Sequence, residues 1–152
     1  WDVTTTLRVA ERIAPYEIAW LEEPLPPDDL RGYESLAERC PIPIAGGEHE
    51  YTTGGFRALI ERGLHAVVQP DINWCGGMTT LIEVYELAQH HGVRVCPHRG
   101  SEPFALHAIA ALDPQPLAES PRPWFRCLRG SPEIRQGRVR LQPGNGFGVT
   151  LA

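Results

Sequence analysis

The 152-residue sequence has no apolar run near the ~18 residues that a membrane-spanning helix needs, no CxxC pair, no His-x-His, and no stretch where basic and aromatic residues interleave. Each absence removes a class of function. The first excludes a membrane span. Cys40, Cys75, Cys96 and Cys127 are too widely spaced for a zinc knuckle, and they read as buried free thiols of a protein kept in a reducing cytoplasm. Without His-x-His, a two-metal hydrolase barrel is disfavoured. The net charge of −5, with no basic stripe, argues against a nucleic-acid partner. A small anionic substrate would then need a local attractor such as a cation. The chain opens on Trp1 with no methionine and no signal sequence, and its first residues already read as a helix, so a piece of a longer protein is expected.

What is present is a series of short apolar runs that each stop on a polar residue. Ile42-Pro-Ile-Ala-Gly-Gly-Glu48 delivers a carboxylate, and so does Ile18-Ala-Trp-Leu-Glu22. Ala66-Val-Val-Gln-Pro-Asp71, Val93-Arg-Val-Cys-Pro-His98 and Pro116-Leu-Ala-Glu119 repeat the pattern. The polar ends are 26, 23, 27 and 21 residues apart, and each interval holds one helix and two loops. That is the cadence of βα units, whose parallel strands end side by side on one rim. The predicted fold class is α/β, with about five parallel strands. Five are too few to close an eight-stranded barrel, so upstream elements are expected, and the chain alone is expected to leave a strand edge unpaired and to aggregate or self-assemble.

Helix expectations follow from caps and stripes. Asp2 caps a helix carrying Val3, Leu7, Ala10 and Ile13 that stops before Pro15. Ile18–Leu21 is the first strand; Asp28 or Asp29 caps the next helix; Gly63 and Gly92 end two more. Leu117-Ala118 is the stub of a fifth strand. From Ser120 onward, prolines, Trp124, Phe125 and a Gly-rich end lose the βα rhythm and read as a returning tail.

Glu22 and Glu48, at neighbouring strand ends, suit a hard divalent cation such as Mg²⁺. Glu23 is the weaker ligand candidate, because adjacent strand residues face opposite ways. His98 can exchange a proton near neutral pH, and Asp71, at the adjacent rim position, can orient it. His49 is either a substrate contact or a support of the metal shell. Arg99 and Glu102 are loop residues that either line the pocket or are simply solvated.

Trp20-Leu-Glu-Glu-Pro24, Gly46-Gly-Glu48, Gln69-Pro-Asp71, Gly76-Gly77, Pro97-His98 and Pro143-Gly-Asn-Gly-Phe-Gly148 together resemble the enolase superfamily, within it the mandelate racemase/muconate lactonizing enzyme group. The resemblance implies the C-terminal part of a (β/α)₇β barrel over residues 1–122. Residues 123–152 would be a tail that packs on a capping domain outside this chain. It further implies Mg²⁺ held by Glu22, Glu48 and an upstream aspartate, His98 as acid/base catalyst, Asp71 as its partner, and Glu119 as the acid that hydrogen-bonds the substrate carboxylate. His49 and Arg99 are added as substrate-binding candidates. Gly47–Thr52 and Gln69–Gly77 look most like acid-sugar dehydratases of the rhamnonate type. The implied reaction is proton removal beside a carboxylate, then loss of water to a 2-keto-3-deoxy sugar acid, in an enzyme that is a homo-oligomer when intact. The alternatives are a racemase or epimerase of the same superfamily, and an inactive truncated piece.

Overall fold

The computed structural model describes residues 1–100, 102–119 and 127–152. Asp2 caps α1 (Val3–Ile13), its carboxylate accepting the Thr5 amide at 2.7 Å. Thr6, Leu7 and Ala10 form the buried face. Pro15 turns the chain out through a short 3₁₀ segment, Ala14–Tyr16. Four strands follow: β1 (Leu21–Glu22), β2 (Ile44–Gly46), β3 (Val67–Val68) and β4 (Arg94–Val95). They form one parallel sheet in the order β1-β2-β3-β4, with Leu21 opposite Ile44, Ala45 opposite Val67 and Val68 opposite Val95. Chain order equals spatial order, so every carboxyl end lies on the same edge.

The crossovers are α2 (Leu30–Arg39), α3 (Thr52–Glu61) and α4 (Gly77–His91), and α5 (Pro103–Leu112) follows β4. Asp29 caps α2 by accepting the Gly32 amide at 2.9 Å. Gly92, at φ 68, ends α4 in the left-handed conformation that glycine adopts without steric cost. Beneath the sheet, Leu7, Tyr33, Leu36, Ile44, Leu59 and Leu64 make one apolar cluster. Phe56, Val68, Leu81, Val84, Val95 and Ala105 make a second. α3 contributes to both, through Leu59 and Phe56 respectively.

Three expectations need correction. The first strand lies at Leu21–Glu22, one residue on from its predicted end, and Ile18 is exposed. Leu21 N donates to Pro43 O at 2.8 Å, and Pro43 has no N–H to extend the ladder back. No strand forms at Leu117-Ala118 among the described residues, so the sheet has four strands and not five. Pro114 and Pro116 remove donors there, and Leu117 is exposed. Of the four free cysteines, Cys75 and Cys96 are buried, Cys40 is half-buried, and Cys127 is exposed.

The tail pairs β5 (Leu128–Arg129) with β8 (Thr150–Leu151), and β6 (Ile134–Arg135) with β7 (Arg138–Val139), both antiparallel. Phe147 meets α5 edge-on, its ring 5.1 Å from Phe104 and 5.4 Å from His107. Trp124, Phe125 and the expected 122/123 boundary lie outside the described residues. No described helix is long and apolar enough to cross a membrane.

Candidate active site

The strand ends converge on one edge as the register requires. Glu22 closes β1, Glu48 follows β2 by two residues, and Asp71 and His98 each follow their strand by three. His98 and Asp71 are joined: Nδ1 lies 2.9 Å from Asp71 Oδ2 in a buried contact. Asp71 Oδ1 also accepts the Asn73 amide at 2.8 Å, so the carboxylate is held on both oxygens. Burial pushes Asp71 up, but the hydrogen bonds from His98 and Asn73 outweigh it and leave the carboxyl below its ordinary range. For His98 the hydrogen bond with Asp71 is the largest influence and raises its pKa against the opposing effect of burial. With Nδ1 bound to Asp71, Nε2 is the nitrogen turned toward the rim. It lies 3.3 Å from Glu48 Oε2.

Glu48 sits among like charges. Its own burial pushes its carboxyl up, and Glu23 and Glu22 add to the rise while His98 and His49 oppose it. Such a set of carboxylates is destabilising until a cation or proton neutralises it. Glu22 and Glu23 serve different partners, as strand alternation requires. Glu22 Oε2 accepts from Gln69 Nε2 at 2.8 Å, and its other oxygen has no hydrogen bond among the described residues. Glu23 uses both of its oxygens: Oε1 takes the Gly47 amide at 3.3 Å, and His49 Nδ1 stands 3.0 Å from Oε2. Ligating atoms of Glu23, Glu48 and His49 lie within 4.8 Å of one another, so the structure also brings together a trio that strand alternation disfavoured. His49 is half-exposed, its ring bridging Glu23 and Glu48.

Glu119 reaches the rim from outside the described strands. Its Oε2 accepts the backbone N–H of Arg99 at 2.6 Å, so the loop after His98 holds it. The Arg99 side chain donates Nε to Glu102 at 2.6 Å. The solvated reading of Glu102 is wrong, since it is only 1% exposed.

From the sequence, Gln69 has no assigned role and Glu23 only that of a weaker ligand candidate. Gln69 is buried and orients Glu22. Its signal was visible, because it stands directly after Val67-Val68, where β3 meets the rim. Glu23 supports both Gly47 and His49, which only the folded loop reveals.

The pattern of the enolase C-terminal domain-like family matches residues 1–152, the whole chain. An L-rhamnonate dehydratase of Saccharopolyspora erythraea is 41% identical over 99% of this chain, and a putative L-rhamnonate dehydratase of Caldivirga maquilingensis is 40% identical over the same share. The chain spans about two fifths of the length of these curated relatives, 41% and 40%. Among solved structures, L-talarate dehydratase from Polaromonas sp. JS666, complexed with Mg and L-glucarate, superposes with a TM-score of 0.91 at 30% identity, over all of this chain and 42% of that one. The 3,6-anhydro-D-galactonate cycloisomerase of Zobellia galactanivorans superposes with a TM-score of 0.89 at 30% identity, over 99% of this chain and 45% of its own. The parallel sheet, the rim of carboxylates beside a histidine, and these matches agree that the chain belongs to the enolase C-terminal domain-like family of the enolase superfamily.

Proposed function

We propose that this protein is a Mg²⁺-dependent acid-sugar dehydratase, acting on a rhamnonate-like aldonate. The observation that carries the reading is the buried Asp71–His98 pair, whose outer nitrogen shares one rim with Glu22, Glu48 and Glu119. No lysine occurs in the 152 residues, so the chain's own candidate for a base near neutral pH is an imidazole. The enolase superfamily is itself a standard example of a Lys or His base working with Mg²⁺.

Glu22 and Glu48 would hold the cation. Both offer hard oxygen donors, and the crowding of charge around Glu48 is what a divalent ion would relieve. When bound, Mg²⁺ supplies the positive charge that makes loss of a proton beside a carboxylate accessible. Glu23 is then a support, because its two oxygens already serve Gly47 and His49. Asp71 fixes the Nδ1–H tautomer of His98 and stabilises the imidazolium that forms. His98 Nε2 removes the α-proton and afterwards protonates the departing β-hydroxyl, so one ring serves both steps. Glu119, anchored by the Arg99 amide, hydrogen-bonds the substrate carboxylate where negative charge grows. His49 lies at the mouth beside Glu48 and Glu23, in reach of a substrate hydroxyl. Arg99 contributes through its backbone.

The test is a panel of aldonates and aldarates incubated with the protein and Mg²⁺, with the product identified by mass and by NMR. A 2-keto-3-deoxy acid, lighter than its substrate by one water, is the expected product. Epimerised substrate with no loss of water would replace this reading with a racemase.

A further inference from the structure

Glu102 has no part in the reaction above, yet it is more buried than any other acidic side chain described, at 1% exposed. It lies immediately before α5 and starts the helix by accepting the Leu106 amide on its backbone carbonyl at 3.2 Å. Its carboxylate accepts Arg99 Nε at 2.6 Å, and its backbone N–H donates to Arg99 O at 3.0 Å. Arg99 and Glu102 are therefore joined twice, once through their side chains and once through the backbone. Arg99 stands at φ 56, a left-handed conformation that a residue with a Cβ resists unless its surroundings impose it. In that conformation its backbone N–H meets Glu119 Oε2 at 2.6 Å. Gly100 gives the turn no slack, since a Cβ there would lie 2.7 Å from Ile109 Cδ1 and 2.8 Å from Pro97 O.

We infer that Glu102 is a positioning residue: through the Arg99 side chain it fixes the Arg99 backbone, and the Arg99 N–H in turn fixes Glu119 at the rim. The link runs from the residue before α5 to an acid that lies outside the described strands. Its catalytic consequence rests on the role proposed above for Glu119; the contact itself does not. A carboxylate suits the task because a charged, in-plane acceptor holds a guanidinium more firmly than an amide does.

The contact is tested by NMR on ¹⁵N-labelled protein. The Arg99 amide is expected far downfield and slow to exchange, as a short N–H to carboxylate bond requires. Glu102→Ala and Arg99→Met should each move it upfield and speed its exchange at least about tenfold, with the rest of the spectrum unchanged. Glu102→Gln, which keeps an acceptor oxygen, should fall between. Arg99→Met removes the same contact from the half-exposed side, so it decides the matter even if Glu102→Ala does not fold. A residue-99 amide that stays far downfield and as slow to exchange in Arg99→Met as in the parent would overturn the inference. In turnover assays, Arg99→Met should lower kcat by about tenfold with KM changed by less than about twofold, and should cost nothing further in a Glu119→Gln background. Full kcat despite a displaced Arg99 amide would overturn the role of Glu119 while leaving the contact standing.

Discussion

His98 Nε2 lies 3.3 Å from Glu48 Oε2, so the imidazole stands between a residue proposed to bind the cation and the residue that orients it, Asp71. Base and cation would share one carboxylate edge, and the pKa of the base would depend on what Glu48 binds. Both Glu48 and Asp71 favour the charged imidazole, and a cation on Glu48 would weaken the first of these effects.

Replacing the base gives the first expectation. His98→Asn should lower kcat by ~10²-fold or more, in the range of general acid–base contributions, while the far-ultraviolet spectrum and the affinity for Mg²⁺ stay near the parent values. A variant within a few-fold of the parent would exclude His98 as the base.

Asp71→Asn should cost less than His98→Asn and should shift the acidic limb of the pH–rate profile to lower pH. The sign follows from the structure, because the hydrogen bond with Asp71 is the main influence raising His98. An unmoved limb would mean that the limb reports some other group.

His65 offers a prediction about stability that is independent of catalysis. It is 4% exposed, its ring packs on Tyr33 with centroids 4.6 Å apart, its Nδ1 has no hydrogen-bond partner among the described residues, and burial pushes its pKa down to about 4. The unfolded chain, with an ordinary histidine, binds the proton more readily. Stability from this residue is therefore complete above about pH 6.5, declines as pH falls toward about 4, and amounts to ~3 kcal/mol in all. Urea midpoints at pH 7 and pH 5 for the parent and His65→Gln should show a smaller pH dependence in the variant. Equal pH dependence would assign the loss to other groups.

Phe56 is fully buried in the larger apolar cluster, within the helix that also sends Leu59 into the smaller one. Phe56→Ala should destabilise by about 3–5 kcal/mol through lost burial and the cavity left behind. Denaturant unfolding measures it, and a loss under ~1 kcal/mol would mean that the two clusters do not support one another through α3.

Much of the rim could be read from the sequence because its signals are local. Glu22, Glu48, Asp71 and His98 each stand at or just after a short apolar run, and the lengths between them allow little except parallel strands ending together. Features that depend on where a loop returns were not legible. Leu117-Ala118 has the composition of a strand, but its flanking prolines leave too few donors, and Glu119 reaches the rim through the Arg99 amide instead. Glu102 has the look of a surface acid, yet it is buried at the start of α5 with its carboxylate on Arg99 Nε, a contact that only the folded loop reveals. Gln69 falls between these cases: its position after β3 is local, whereas its bond to Glu22 spans 47 residues.

The most direct test of the account is product analysis of a rhamnonate-type sugar acid incubated in D₂O with the protein, with and without Mg²⁺, and repeated with His98→Asn. A 2-keto-3-deoxy acid carrying solvent deuterium at C3 is expected, formed only with Mg²⁺ and lost in the variant. The same product formed at full rate by metal-free protein, or by His98→Asn, would contradict the proposed function.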